Sequence, residues 1–331
     1  MTFIDDNLFK PPDQDSAREP SPNNPSEPSG KDEIGLPLGG DPLSYAFLPS
    51  TIPYSQRPEV PEDLRISWSW AHLLCFVLFA IVVLLIVPSL FAIPFIQGKH
   101  LRPEKLQNYL YSVPQFVVGS SFAVFALVLF FLYVTLSLLP GRSFWHTLGW
   151  RKLIPTASKL PSKPWLYFVS GSALSLLTAI VGSRVHTSED MPIEFLLKSR
   201  TGAMLMIAMA VAVAPLVEET VFRGYLYPVL VRIISSVLRF FGVEFARAIH
   251  AGVACSVVLT GVSFGLLHGA QLAWTWGIVS LLILVGITFT YVRARTGTVF
   301  ASFLMHLGYN SLIAFITIVG THGFTKMVPH P

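Results

Sequence analysis

Long apolar stretches free of acidic and basic residues alternate with short polar segments along most of this 331-residue chain. Asp, Glu, Lys and Arg are absent from 66–98, 106–141, 201–217, 248–292 and 296–325, and 164–185 carries only Arg184. A membrane-crossing helix needs about 20 mostly apolar residues, so these stretches supply roughly seven spans, with 248–292 long enough for two. The pattern predicts helices near 70–95, 113–139, 165–182, 202–217 with an extension, 251–268, 274–292 and 299–320. Trp68, Trp70, Trp165, Trp274 and Trp276 fall at their ends, where indole rings favour the membrane interface. The expected fold is an all-α polytopic transmembrane bundle of about seven to eight helices.

Polar segments divide the chain further. Residues 1–62 are rich in Pro, Ser, Asp and Glu, too polar to bury a core and too proline-rich to propagate a helix, and are read as a disordered tail. Four regions follow from this: the tail 1–62, N-terminal spans with a basic loop over 63–200, a C-terminal helical domain over 201–320, and a short end 321–331. The segment 223–242 stands apart, because Arg232 and Arg239 lie seven residues apart, about 20° from one another on a helix, with apolar residues around most of the remaining wheel. It is expected to be an interfacial or partly inserted helix, bent away from the preceding span at Pro228. Basic residues flanking the spans favour an inside N-terminus, and one extra crossing in 224–242 would reverse the two ends.

Composition supports a bilayer as the main solvent, since 52% of residues are hydrophobic and 13% charged. The net charge of +4 comes without a basic tract interleaved with aromatics, so nucleic acid is not an expected partner. Cys75 and Cys255 both sit inside apolar runs and indicate neither a disulfide framework nor a Cys-based metal site. The first residues lack the charged and apolar regions of a cleaved signal peptide, leaving targeting to the first span.

Three polar clusters interrupt the apolar C-terminal half: Glu218/Glu219/Arg223, His268, and His306/Asn310. An ionisable group within a span costs about 2.5–3.5 kcal/mol on insertion scales, so such groups usually face a cavity or a partner and usually work. At about 100° per residue, Glu219 and Arg223 are about 40° apart, whereas Glu218 points about 140° from Arg223. Glu219 is therefore the expected ion-pair partner, and Glu218 the carboxylate left to handle protons. Phe264 and His268 share a helix face, flanked by Gly261, Gly265 and Gly269, and so do His306 and Asn310 around Gly308. A carboxylate, two imidazoles and a carboxamide suffice for amide hydrolysis, which needs a base for water, a group to position it and donors for an oxyanion.

The ordered motifs Glu218-Glu219-x-x-x-Arg223, Phe264-x-x-x-His268 and His306-x-x-x-Asn310, with the runs APLVEETVFRG (214–224) and RTGTVFASFLMHLGYN (295–310), resemble the CPBP family of intramembrane proteases. This family, also called Abi, includes CAAX prenyl protease 2-like and lysostaphin resistance protein A-like members, and the resemblance covers about 200–320. It implies that Glu218 and His268 activate water, that His306 and Asn310 stabilise the oxyanion, and that Glu219, Arg223 and Phe264 support them. It also implies an endopeptidase of substrate C-termini, lipidated or not, in the cell membrane of a prokaryote. No cofactor is expected from the glutamate-dependent mechanism the resemblance implies; the alternative is zinc held by Glu218, His268 and His306. A binding or immunity protein using the same cavity without proteolysis is the second reading, and a proton-coupled transporter the third. The end, MVPHP, is not itself a CAAX box.

Overall fold

The computed structural model describes residues 60–99, 102–153, 160–185 and 199–325. The expected tail lies outside the described residues except for 60–62, as does 326–331 at the other end. Among the described residues all regular structure is helical, and seven stretches are long and apolar enough to cross a membrane. The chain is an integral, multi-pass membrane protein.

In chain order, α1 is Trp70–Ile96, α2 Pro103–Tyr111 and α3 Pro114–Tyr133, the last continued by a π turn at Val134–Leu138. Then come a single turn, α4 (Phe144–Thr147), and α5 (Pro164–Gly182). Apolar on every face, α1 leaves Leu74, Leu78, Ile81 and Leu85 exposed, as lipid-facing surface requires. The short α2 was not expected. The charge-free run 106–141 is broken because Pro114 opens α3 and holds the preceding Val113 extended, at φ −98° and ψ 100°.

The largest departure from expectation lies at 200–240. Instead of a span followed by a separate interfacial helix, α6 (Arg200–Ala208), a π segment Met209–Val213, α7 (Ala214–Glu219), a π segment Thr220–Leu226 and α8 (Tyr227–Phe240) run on without a break. Pro228 does not divide them, because it occupies the first turn of α8, directly after the π segment, where a missing N–H is tolerated. These 41 residues would extend about 60 Å as a straight α-helix, about twice the hydrocarbon thickness. Widened turns at such places are typical of helices that carry function.

The remaining helices are α9 (Phe245–Leu267), α10 (Trp276–Thr296) and α11 (Val299–Gly320). Small residues let them cross closely. A side chain at Gly308 would strike the Phe168 backbone of α5, one at Gly171 would strike the Met305 backbone of α11, and Gly261 and Gly265 of α9 face the Ile287 and Ile283 backbone of α10. Hydroxyls add cross-links, with Ser172 donating to Gly308 O at 3.1 Å and Thr178 paired with the Tyr309 hydroxyl at 2.9 Å.

The folded unit begins at Val60, before the first span. Buried Arg293 of α10 donates from Nη1 to Asp63 Oδ2 at 3.0 Å, and Arg151 pairs with Glu62 at 2.9 Å. Arg232 of α8 donates from Nη1 to the carbonyls of Ile66 and Trp68, at 3.2 and 2.9 Å. Trp68 then stacks on Tyr225, with ring centroids 5.6 Å apart. Residues 60–68 therefore rest, through Trp68, on the π segment that also carries Arg223.

Candidate active site

Glu218 and Glu219 end α7, at the junction with the wide π turn that holds Arg223. Arg223 Nη1 donates to Glu219 Oε1 at 2.9 Å, and neither side chain has any solvent exposure. The guanidinium lies 4.7 Å from the centroid of Phe264, 5.4 Å from that of Phe289 and 5.7 Å from that of Phe222. The enclosed charges meet each other, His306 and aromatic faces, while Glu219 Oε2 is buried without a hydrogen-bond partner among the described residues.

The other acid is placed differently. Glu218 keeps 16% of its side chain accessible, and its two oxygens face two imidazoles, Oε1 at 3.9 Å from His268 Nε2 and Oε2 at 3.8 Å from His306 Nε2. Both separations are too long for a direct hydrogen bond, so Glu218 faces the two rings without being bonded to either nitrogen.

Each imidazole is oriented by its other nitrogen. His268 caps the C-terminal end of α9, and its Nδ1 lies 2.8 Å from Phe264 O. A carbonyl only accepts, so the proton sits on Nδ1 and a neutral ring presents Nε2 to Glu218 as an acceptor. His306, 4% exposed within α11, donates from Nδ1 to Glu219 Oε1 at 2.9 Å. Its Nε2 therefore carries a hydrogen only when the ring is doubly protonated. Phe264 and Phe289 pack on the His306 ring at centroid distances of 5.8 and 4.9 Å and hold its plane.

Asn310 lies one turn after His306, and its amide nitrogen donates to Ala210 O at 2.8 Å, within the first π segment. A carboxamide has two N–H donors, so this contact uses one. Glu218, Glu219, Arg223, Phe264, His268 and His306 thus form one contiguous group, while Asn310 connects to the 200–240 stretch at a different point.

Sequence patterns did not single out the α10 residues. Thr290 Oγ1 accepts from Arg223 Nε at 3.2 Å, Gly286 O accepts from Arg223 Nη2 at 2.9 Å, and Phe289 contacts both Arg223 and His306. A Thr, a Gly and a Phe in an apolar span carry no charge signal, and only their juxtaposition shows their place.

Spacing tests the zinc alternative. Two ligands on one tetrahedral zinc at about 2.0–2.1 Å stand roughly 3.3–3.4 Å apart. The Glu218–His268 and Glu218–His306 separations of 3.9 and 3.8 Å are wider and involve opposite carboxylate oxygens. Among the described residues no group of three or more His, Cys, Asp or Glu is arranged to hold a metal ion. Glu218, His268 and His306 do not fit a zinc centre in this geometry.

Helices long and apolar enough to cross a membrane thus surround a carboxylate that faces two oriented imidazoles. Residues 200–312 match the family model described as Rce1-like, type II CAAX prenyl endopeptidase Rce1-like. Over these residues, about a third of the chain, the protein is similar to the CAAX-type intramembrane proteases, a family of peptide hydrolases. No curated protein and no solved structure matches the chain.

Proposed function

We propose that the chain is a glutamate-dependent, metal-independent intramembrane endopeptidase that cuts near the C-terminus of a membrane-delivered peptide or protein, of the CAAX type. The observation that carries this reading is the placement of Glu218, accessible and facing the Nε2 atoms of His268 and His306 at 3.9 and 3.8 Å.

The steps follow from the donors and acceptors. A water between Glu218 and His268 donates one hydrogen to each, leaving a lone pair for a substrate carbonyl carbon. As the C–O bond forms, Glu218 takes the water proton and the carbonyl oxygen becomes an oxyanion. His306, doubly protonated and held by the Glu219 carboxylate, donates from Nε2, and Asn310 donates its second amide hydrogen. With Arg223 and the His306 imidazolium set against the Glu218 and Glu219 carboxylates, the enclosed site is neutral overall. Collapse breaks the C–N bond, and the proton on Glu218 passes to the leaving amine.

The substrate reading rests on the family. A prenylated cysteine followed by three residues brings its own lipid anchor, and a site among spanning helices is reached from the bilayer. We further propose, from the resemblance alone, that the membrane is the plasma membrane of a prokaryote.

The test is hydrolysis of a library of prenylated and unprenylated C-terminal peptides by the purified protein, with and without chelator. Cleavage that survives chelation and vanishes in Glu218→Ala is expected. Equal turnover by that variant refutes the glutamate assignment, and loss on chelation that zinc restores refutes the metal-free mechanism.

A further inference from the structure

We propose that Thr290 of α10 is a positioning residue for this site, acting through Arg223 and Glu219 to set the orientation of His306; the inference rests on the protease reading above. Arg223 commits each of its three nitrogens to a different partner: Nη1 to Glu219 Oε1, Nη2 to Gly286 O and Nε to Thr290 Oγ1, at 2.9, 2.9 and 3.2 Å. The Thr290 hydroxyl hydrogen goes to Gly286 O at 2.8 Å, so an oxygen lone pair remains to receive Arg223 Nε–H.

A buried threonine bonded to the carbonyl four residues earlier is ordinary in a helix. Accepting from a fully enclosed arginine on another helix is not, because both side chains are sealed from solvent and the guanidinium has no water to replace a lost acceptor. The chain of bonds runs from α10 through Arg223 to Glu219, and then from Glu219 Oε1 to His306 Nδ1 at 2.9 Å on α11. Since one carboxylate oxygen serves both Arg223 and His306, a displacement of the guanidinium is felt at the imidazole. Gly286 makes the approach feasible, because a side chain there would meet Gly261 O at 2.9 Å and the Phe264 ring at 3.0 Å.

The experiment compares full-length wild type, Thr290→Val, Thr290→Ser and Thr290→Ala in nanodiscs. It measures kcat and KM on a prenylated C-terminal peptide, and 15N–1H spectra of the histidine rings, with His306 assigned from His306→Gln. Losing a hydrogen bond to a charged group predicts a fall in kcat of about ten- to hundredfold for Thr290→Val, with KM unchanged. Thr290→Ser stays near wild type, and the His306 Nδ1–H signal of wild type shifts in Thr290→Val but not in Thr290→Ser. If Thr290→Val does not fold, Thr290→Ala is read in its place. Wild-type kcat and an unchanged His306 signal in the hydroxyl-free variant overturn the proposal, and so does an equal loss in Thr290→Ser. If the wild type cleaves no peptide the protease reading fails, while the His306 spectra still decide the role of Thr290.

Discussion

Glu218 and Glu219 are adjacent in the chain and opposite in circumstance. Glu219 is wholly enclosed and bonded to Arg223 and His306, whereas Glu218 is 16% accessible and faces two imidazole Nε2 atoms at 3.8 and 3.9 Å. One residue of helical rotation separates a structural charge from one that meets solvent.

That division predicts distinct phenotypes. Glu218→Gln keeps shape and removes the base, so peptide hydrolysis should drop by about 10²–10⁴-fold. The melting temperature in detergent should stay within a few degrees of wild type; a comparable fall in stability would make Glu218 a structural residue.

Arg223→Leu alone leaves Glu219 buried without its partner and should cost about 3–5 kcal/mol of stability. The double variant Arg223→Leu/Glu219→Met removes both charges and should lose less than the sum of the two single changes. A thermodynamic cycle from denaturant titrations measures the difference, and strict additivity would show that the pair is uncoupled.

Asn310 bridges α11 to Ala210 at 2.8 Å and supplies a proposed oxyanion donor. Asn310→Ala should lower kcat by about 10²–10³-fold while costing only about 1 kcal/mol of stability. If KM rises with kcat constant, Asn310 binds substrate and does not stabilise the transition state.

At the start of α9, Glu244 accepts from the backbone N–H groups of Ala246 and Arg247 at 3.0 and 3.2 Å. These bonds, the one to Ala246 foremost, hold its pKa below the ordinary value of a glutamate side chain. A depressed folded pKa gives stability that is present above the unfolded value and lost as pH falls through the folded one. Glu244→Ala should therefore lower the melting temperature at pH 7, and the gap from wild type should close as pH falls below about 4.5. A gap that persists at lower pH would assign the effect to helix propensity.

Much of the fold was legible in the chain. The charge-free stretches located the spans because a hydrocarbon solvent admits few ionised groups, and the i,i+4 spacing of Glu219 and Arg223 described a pairing that the wider π turn between them preserves. The continuity of 200–240 is not legible in the sequence, where Arg232 and Pro228 suggest a helix separate from the preceding span. In the structure Arg232 is satisfied by the Ile66 and Trp68 carbonyls, contributed from more than 160 positions away, and Pro228 follows a π turn. Neither circumstance leaves a local mark.

The sequence by itself determined that this is a polytopic helical membrane protein and which polar groups its C-terminal half carries, because burial of charge is costly enough to be visible residue by residue. Only the tertiary structure decided which nitrogen of each imidazole faces Glu218 and that Thr290, Gly286 and Phe289 hold Arg223. It also decided that Val60–Trp68 belongs to the folded unit. Those outcomes depend on hydrogen-bond direction and helix crossing between distant segments, and side chains as ordinary as Thr and Gly acquire their role only from what is packed against them.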